Sequence, residues 1–519
     1  MSAILLATLN ARYIHASLGL RYLLANLGDL RSQATIREYT IKRPALKIVE
    51  DLLNSKPRVV GFGVYIWNVV EMTRVVAMLK AVAPEVTLVL GGPEVSHETA
   101  GQEIVGLADY VISGPGEASF ALLCQQILAG VAPAAKIIAG EVRPLDQLVL
   151  PYHEYSDEDI AHRFIYVEAS RGCPFKCEFC LSALDKTAKP FELERFLDEM
   201  AALYARGVRH FKFVDRTFNL NVNTGVRILE FFLARLDDKL FLHFEVIPDH
   251  LPAALKTLIV QFPPGSLQFE VGVQTFNPAV QALISRKQDN ASTEDNLRWL
   301  RQHSQAHLHV DLIIGLPGED MESFGRGFDR LLALGPHEIQ VGILKRLRGA
   351  PIARHTECHG MRYNPLPPYE IFATDCINFA TMRRLARFAR YWEMMANSGR
   401  FAHALPLLLG DSPFARFLQF SDWLVTPDWI YQYDIVGPCI LSPSRCFESS
   451  GKNIPQQRML CASGIRSWRV LTSGTSVISR SSTTPPTTFR PLSSLMWRVI
   501  TIASLLLCST GRNACTYGK

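Results

Sequence analysis

One stretch decides the fold of this chain: Phe164-Ile-Tyr-Val-Glu-Ala-Ser-Arg-Gly-Cys173-Pro-Phe-Lys-Cys177-Glu-Phe-Cys180. An apolar, β-rich run, Phe164–Ala169, leads into three cysteines with C-x3-C-x2-C spacing. The order predicts a strand with a cysteine loop at its carboxyl end, where the catalytic loops of α/β barrels lie. Thiolates are the ligands of iron–sulfur clusters. The loop therefore predicts a cubane cluster held at three irons, with the fourth iron open to a substrate.

A partial zinc site is the alternative interpretation of the same three cysteines. Zinc would need a fourth cysteine or histidine nearby. After Cys180 the first such residue is His210, thirty positions further along the chain. The cluster is the interpretation we favour.

The composition is that of a globular protein with two or three domains. Its 519 residues are 48% hydrophobic and 20% charged. We find no signal peptide and no run of about 20 apolar residues that would span a membrane. The eleven cysteines are scattered apart from the triplet, which argues against a secreted disulfide framework. We therefore expect a cytoplasmic protein without a membrane partner.

The basic net charge of +5 comes from the last part of the chain alone. Residues 435–519 hold ten lysines or arginines and a single acid, Glu448, whereas residues 1–434 hold 44 basic and 48 acidic side chains. A nucleic-acid partner is therefore not indicated. The tail is rich in Ser, Thr, Arg and Cys and lacks sustained periodicity. We interpret it as out-of-frame translation, with a disordered basic tail as the alternative.

Residues 1–140 alternate strand-like and helix-like segments. This βαβα alternation predicts an α/β domain with a doubly wound parallel sheet of the Rossmann or flavodoxin type. Two glycine-rich turns, Gly91-Gly-Pro-Glu94 and Gly114-Pro-Gly-Glu117, follow predicted strands. Glycines at strand ends let the backbone approach a ligand closely, although tight βα turns also need them. Ligands of open α/β sheets bind at these carboxyl ends.

A second alternation follows a linker predicted over residues 141–162. Six βα units over residues 163–350 predict a partial (βα)6 TIM-like barrel, open at one side. From Pro365 the pattern becomes helical, with a helix predicted over Ile371–Ala389. Residues 365–434 thus form a small helical region, truncated where the tail begins. The predicted barrel strands are 164–169, 210–214, 241–246, 266–273, 308–314 and 338–343.

The cysteine loop, its place after the first barrel strand and the six βα units resemble the radical S-adenosylmethionine (radical SAM) enzymes. The resemblance implies that Cys173, Cys177 and Cys180 hold a 4Fe-4S cluster whose open iron is chelated by S-adenosylmethionine. One electron, supplied by an external reductant of the flavodoxin or ferredoxin type, then yields a 5′-deoxyadenosyl radical. Further residues are implied at the S-adenosylmethionine site: Phe179, Asp215, Glu270, Gln274, Arg286, Gly315 and Gly318.

Several of these residues have ordinary structural alternatives. Phe179 would flank the adenine or simply pack in the loop, and Asp215 would bind the ammonium or cap the next helix. Arg286 suits a carboxylate or a surface salt bridge, and plain βα turns also explain Gly315 and Gly318. Glu270 and Gln274 interrupt an apolar strand, where burial without partners is costly. We expect them to reach the ribose or methionine side of the cofactor.

The N-terminal unit resembles the cobalamin-binding domain found ahead of the barrel in one radical SAM subclass. One departure is that the Asp-x-His-x-x-Gly signature, which supplies an axial histidine in many cobalamin proteins, is absent. The equivalent loop, Asn10–Gly19, contains His15, which is either a variant axial ligand or a locally hydrogen-bonded loop residue. The residues implied at cobalamin are His15, Tyr65, Asn68, Gly91, Gly92, Glu94, Gly114, Gly116 and Glu117.

Together the two resemblances imply a cobalamin-dependent radical SAM methyltransferase of the class B type. Such an enzyme methylates an unactivated carbon of its substrate, here an unknown small molecule or peptide. A cobalamin-dependent radical rearrangement is the alternative within the same cofactor set. A catalytically inactive truncated product is the alternative from another class, since residues after 434 break the pattern.

Overall fold

The computed structural model describes residues 2–424, so the predicted tail, 435–519, lies outside the described residues. Most of the described chain forms one compact unit, Met1–Ala402 together with Leu409–Leu418. Of the described residues, His403–Leu408 and 419–424 are assigned to a second unit. Within the described range, we find no helix long and apolar enough to cross a membrane.

The N-terminal region is a six-stranded parallel sheet with the order β2-β1-β3-β4-β5-β6. Its strands are β1 (Ile4–Asn10), β2 (Ala34–Thr40), β3 (Val59–Gly63), β4 (Thr87–Gly91), β5 (Tyr110–Ser113) and β6 (Ile137–Ala139). Its helices are α1 (Leu18–Ala25), α2 (Ala45–Asn54), α3 (Val69–Val82), α4 (Glu103–Leu107) and α5 (Glu117–Leu128). The strand order reverses at β1, so the carboxyl ends of β1 and β3 flank a topological switch point, where ligands of such sheets bind.

Burial on both faces of this sheet explains its continuous apolar strands. Strand β1 is buried along its whole length. Leu5 and Leu9 belong to an apolar cluster on one face, and Ile4 and Leu6 belong to a cluster on the other. Because helices cover both faces, the strands read as near-continuous hydrophobic runs rather than as alternating ones. The predicted doubly wound sheet is confirmed.

The segment that was predicted as a linker, 141–162, packs against both neighbouring regions. It contains 3₁₀ turns at Leu145–Gln147 and Tyr152–Glu154, followed by helix α6 (Asp157–His162). Tyr152 and Tyr155 are fully buried. Asp159 accepts a hydrogen bond from the buried Arg21 of the N-terminal region at 2.8 Å. The hydroxyl of Tyr152 donates to the carbonyl of Glu168 in the barrel region at 3.0 Å. The segment is therefore anchored to both regions.

The barrel region contains the second run of strands and helices. Its strands are β7 (Ile165–Val167), β8 (Ser170–Arg171), β9 (Lys189–Pro190), β10 (His210–Phe213), β11 (Phe241–Val246), β12 (Leu267–Gln274), β13 (His307–Ile314) and β14 (Glu338–Ile343). Its helices are α7 (Leu193–Ala205), α8 (Val222–Leu233), α9 (Ala253–Ile259), α10 (Pro278–Leu283), α11 (Asn290–His303) and α12 (Met321–Ala333). Strands β8 and β9 pair antiparallel, and the other six form a parallel sheet ordered β14-β13-β12-β11-β10-β7. The predicted partial (βα)6 barrel is confirmed.

The chain after the barrel differs from the predicted helix over Ile371–Ala389. Strands β15 (Arg362–Tyr363) and β16 (Ile371–Ala373) form a short antiparallel ladder, and helix α13 (Phe379–Trp392) begins later. The side chain of Asn378 accepts from the backbone N–H of Thr381, which fixes the helix start. Two further helices follow, α14 (Leu405–Leu409) and α15 (Pro413–Trp423).

Candidate functional site

The three predicted cluster cysteines line one cavity at the carboxyl ends of the barrel strands. We call it the cysteine cavity; its volume is about 220 Å³, and Cys173, Cys177 and Cys180 all face it. The loop is held by its own backbone, since the N–H of Cys173 donates to the carbonyl of Asp185 at 3.0 Å. Gly172 has φ +93°, and a Cβ there would overlap the carbonyl oxygen of Thr187. Only glycine fits this turn.

The spread of the three sulfurs favours a multi-iron cluster over a single zinc ion. Two thiolates on one zinc, each at about 2.3 Å, are at most about 4.6 Å apart. Within residues 2–424, the cysteine sulfurs do not form a group whose ligand atoms all lie within 4.8 Å of one another. A cubane cluster separates its cysteine ligands more widely, because each one binds a different iron.

The thiols in this cavity are weakly acidic without a metal. Burial raises the pKa of Cys173 and of Cys177 above the ordinary value. The guanidinium of Arg286 opposes the shift at Cys177, since its Nη1 lies 3.5 Å from that sulfur. Binding of iron would therefore release protons from these thiols.

Four of the seven residues implied at S-adenosylmethionine line the cysteine cavity: Phe179, Glu270, Gln274 and Arg286. Gln274 is strained, with φ +69° next to a register shift in β12. Its buried Oε1 makes no hydrogen bond. Buried polar atoms are rarely left unpaired, and backbone strain concentrates at ligand sites. Both observations indicate a polar ligand here.

The other three residues lie outside the lining of this cavity. Asp215 is buried and accepts from the N–H of Ala169 at 2.9 Å and from Oγ of Ser170 at 2.6 Å. Burial raises its pKa to about 7. It does not cap α8, where Asn221 takes that role. A Cβ at Gly315 or Gly318 would meet packed apolar side chains. Tight packing of the turns therefore explains both glycines without a ligand.

The cysteine cavity also contains an ion pair that sequence reasoning missed. Nη1 of Arg216 donates to both carboxylate oxygens of Glu245 at 2.7 and 2.8 Å. Glu245 is a charged residue within the apolar strand β11, which is the same signal that pointed to Glu270. The pair places a fixed positive and a fixed negative group opposite the cysteine loop.

A second cavity, of about 380 Å³, lies at the switch point of the N-terminal sheet. We call it the glycine cavity, because seven of its lining residues are glycines. Six residues implied at cobalamin line it: Tyr65, Gly91, Gly92, Gly114, Gly116 and Glu117. Gly92 has φ +109°, and a Cβ there would lie 2.5 Å from the carbonyl oxygen of Val64. The glycine is therefore required by the turn itself.

Three residues implied at cobalamin are placed elsewhere. Asn68 is buried and accepts from the N–H of Tyr65 at 2.8 Å, which shapes the turn after β3. Glu94 accepts a hydrogen bond from Tyr369 at 2.6 Å. Nδ1 of His15 lies 2.6 Å from the hydroxyl of Tyr166, and the residue is not among those lining the glycine cavity. Its axial role stays a prediction, and the local hydrogen bond is the contact observed.

Arg171 connects the two cavities. It lies two residues before Cys173 and lines the glycine cavity. Its guanidinium donates to Glu117 at 2.7 Å, at the start of α5, and to Glu168 at 2.6 Å. The ring of Tyr22 lies 4.8 Å from the guanidinium carbon. One side chain thus ties the cysteine loop to the N-terminal sheet.

The floor of the barrel is lined by ionisable side chains. A third cavity contains Glu270, which also lines the cysteine cavity, together with His243 and His309. Although burial by itself would raise the pKa of Glu270, a hydrogen bond with His243 and the charge of Lys212 lower it to about 2. Burial would lower the pKa of His309, but hydrogen bonds to Asp311 and Glu338 raise it to about 10.

The raised pKa of His309 predicts a stability that falls with pH. Its stabilising contribution is complete below about pH 6.5 and is lost as the pH rises toward 10. We expect the free energy of unfolding of wild type, relative to His309→Gln, to fall by about 3 kcal/mol between pH 6.5 and 9.5. Urea unfolding at both pH values measures this difference. His303→Gln, on the exposed end of α11, is the control, and a pH-independent His309→Gln difference would contradict the assignment.

Comparison with known proteins identifies both regions. The family model described as the radical SAM superfamily matches residues 167–331, and that of the B12 binding domain matches residues 4–123. This chain combines a B12-binding domain with a radical SAM domain. A third model, for a protein of unknown function (DUF4080), matches residues 357–433. The radical SAM domain implies a 4Fe-4S cluster and S-adenosylmethionine, and the B12-binding domain supports cobalamin as a third cofactor.

Curated proteins are similar to parts of this chain. The cobalamin-dependent radical SAM methyltransferase TokK of Streptomyces tokunonensis is 26% identical over 362 residues, covering 60% of this chain and 51% of TokK. An uncharacterized methyltransferase of Pyrococcus horikoshii, PH0819, is 30% identical over 197 residues, covering 33% of this chain and 42% of the relative. The chain thus spans about half the length of these relatives.

Solved structures share the fold. The radical SAM methyltransferase TsrM from Kitasatospora setae, with cobalamin and a 4Fe-4S cluster bound, superposes with a TM-score of 0.58 at 18% identity; 71% of this chain and 82% of TsrM are covered. The cobalamin-dependent SAM radical enzyme OxsB, with aqua-cobalamin bound, gives a TM-score of 0.60 at 13% identity, with coverage of 81% and 72%.

The residues of this chain fit the three cofactors that these two domains imply. Cys173, Cys177 and Cys180 would hold the cluster, and the unpaired amide oxygen of Gln274 indicates where S-adenosylmethionine would bind. The glycine-lined strand ends would hold cobalamin. Radical SAM enzymes also need an external reductant.

Proposed function

We propose that this protein methylates an unactivated carbon of its substrate, using a 4Fe-4S cluster, S-adenosylmethionine and cobalamin. One observation carries the proposal: the cysteine cavity and the glycine cavity lie in one compact unit, and Arg171 links them through Glu117. When bound, the cluster and S-adenosylmethionine supply a radical that removes hydrogen from carbon, and cobalamin supplies a methyl group. The name of TokK supports this activity. So does that of 2-(S-pantetheinyl)-carbapenam-3-carboxylate methyltransferase of Streptantibioticus cattleyicolor, which is 27% identical over 363 residues.

The side chains of the cysteine cavity would bind and orient S-adenosylmethionine. Glu270 is held ionised by His243 and Lys212, so its carboxylate is suited to the cationic or hydroxyl-bearing parts of the nucleotide. Arg286 is suited to the methionine carboxylate, and Phe179 to stacking on the adenine. The amide of Gln274 is fixed in place by its strained backbone and would pair its free oxygen with a donor of the ligand.

The two cavities together would shield reactive groups from water. The glycine cavity is lined mostly by apolar residues and glycines, and Glu168 and Arg171 of the barrel region contribute to its lining. Exclusion of water prevents side reactions of a radical. The substrate, a small molecule or a peptide, would enter between the two cofactors. We place the reaction in the cytoplasm, because the six described cysteines are free thiols. A flavodoxin- or ferredoxin-type protein would be the reductant.

Anaerobic product analysis tests the proposal. The protein would be reconstituted with iron, sulfide and cobalamin and incubated with a reductant and S-adenosylmethionine that carries a labelled methyl group. We expect both 5′-deoxyadenosine and S-adenosylhomocysteine, since the two uses of S-adenosylmethionine give different products. Arg286→Ala should lower the yield of 5′-deoxyadenosine while cluster content is retained.

Two outcomes would contradict methyl transfer. Formation of 5′-deoxyadenosine with neither S-adenosylhomocysteine nor a labelled product would favour a radical rearrangement. A reconstituted protein that holds cluster and cobalamin but forms neither product would favour an inactive chain.

A further inference from the structure

A group of metal-ligating side chains lies outside all three cavities, on the turn that follows β14. His355, Cys358 and His359 each offer one ligand atom, and these atoms all lie within 4.8 Å of one another. The 3₁₀ helix Pro351–His355 continues into this turn, so positions i, i+3 and i+4 share one face. In the part of the chain that the structure describes, no other group of three such residues meets this distance.

Both histidines have a carboxylate beside one ring nitrogen. Nε2 of His355 lies 2.9 Å from Oε2 of Glu178, with which it can form a hydrogen bond. Nδ1 of His359 lies 3.3 Å from Oδ2 of Asp375, yet it is buried and makes no hydrogen bond. Buried polar atoms are rarely left without a partner, so this nitrogen is available to a metal. Carboxylate–histidine pairs such as Glu178 with His355 orient the ligands of zinc sites and raise their basicity.

The third ligand and the local charge also suit a divalent cation. Sγ of Cys358 makes only weak contacts, at 3.9 Å and 3.7 Å, with the carbonyl oxygens of Arg354 and His355. Cys358 is exposed, which gives a metal an entry path. The two carboxylates outweigh the single charge of Arg354, and metal binding would deprotonate the thiol. Nitrogen and sulfur donors in this number match Zn²⁺ with one position left for water.

We propose that His355, Cys358 and His359 bind one zinc ion, with Glu178 and Asp375 as the supporting carboxylates. The site has a direct connection to the cysteine loop, because Glu178 lies between Cys177 and Cys180. The N–H of Ile352 also donates to the carbonyl of Glu178 at 2.9 Å. A zinc ion that fixes the ring of His355 therefore braces Glu178 and the loop that carries it. The proposal does not rest on the proposed function.

Zinc binding to the reconstituted holoenzyme tests the site. With the 4Fe-4S cluster loaded, Cys173, Cys177 and Cys180 are occupied and do not compete for added zinc. After incubation with ZnCl₂ and dialysis, we expect elemental analysis to find one more zinc per chain in wild type than in Cys358→Ser. X-ray absorption at the zinc edge should show one sulfur at about 2.3 Å and nitrogens at about 2.0–2.1 Å.

Matched variants make the result decisive. His303→Gln changes an exposed histidine on α11, outside the group, and should retain the wild-type zinc content. His359→Gln provides a second variant if Cys358→Ser fails to fold, and it should also lose the ion. Cysteines beyond residue 424 are the same in every variant, so they do not contribute to the difference. Equal zinc content in wild type, Cys358→Ser and His359→Gln, or a wild type that retains no zinc, would overturn the proposal.

Discussion

Replacing Cys173, Cys177 and Cys180 together by alanine is expected to abolish the 4Fe-4S signal and to lower 5′-deoxyadenosine formation by more than about a thousandfold, the scale seen when a catalytic unit is removed. The three thiols are the cysteine side chains that line this cavity. Without them the cavity contains no soft ligand for iron. Electron paramagnetic resonance of the reduced, reconstituted protein and quantification of 5′-deoxyadenosine measure the two effects.

The fold should survive this substitution, which makes the result interpretable. The loop is closed by main-chain hydrogen bonds, including that from Cys173 N–H to the carbonyl of Asp185, and alanine retains these bonds. Cys376→Ala serves as the control, because its exposed sulfur is outside the loop. A cluster signal in the triple variant would show that other residues hold the iron, and the ligand assignment would then be wrong.

Replacing Arg171 by methionine is expected to lower the free energy of unfolding by about 3–5 kcal/mol, as when one partner of a buried ion pair is removed. The side chains of Glu117 and Glu168 are only 11% and 10% exposed and would lose their cation. We also expect weaker retention of cobalamin on gel filtration, because Glu117 and Arg171 both line the glycine cavity.

Three variants separate this effect from general damage. Arg74→Met breaks the exposed pair with Glu71 on α3 and should cost less than about 1 kcal/mol. Arg171→Lys retains the charge but not the forked geometry, so it should be intermediate. Arg171→Met combined with Glu117→Gln and Glu168→Gln should regain stability, since no unpaired charge is left. A single Arg171→Met variant within about 1 kcal/mol of wild type would contradict the role given to this residue.

Much of the architecture was predictable because hydrophobic periodicity and glycine placement are local signals. The alternation over residues 1–140 predicted the doubly wound sheet, and the six predicted barrel strands lie close to the observed ones. The predicted helix over Ile371–Ala389 began too early. Its first residues have the apolar content of a helix but pair as β16, and the cap at Asn378 sets the true start.

The site was predictable where a polar residue interrupts an apolar strand, as at Glu270 and Gln274. The same signal was present at Glu245 and was not used. Asp215 shows the limit of the approach, because its position at a strand end fits a ligand contact and a backbone contact equally well. The structure shows that Asp215 accepts hydrogen bonds from the N–H of Ala169 and the hydroxyl of Ser170. Ion pairs between residues that are distant in sequence, such as Arg171 and Glu117, cannot be predicted from local sequence patterns.

The short ladder between β8 and β9 has a consequence for how the cofactor is acquired. Its main-chain pairing joins the two ends of the segment that carries the three cysteines. Because this pairing does not involve the thiols, we expect it to be independent of the cluster ligands. Cluster assembly would then need little rearrangement of the main chain.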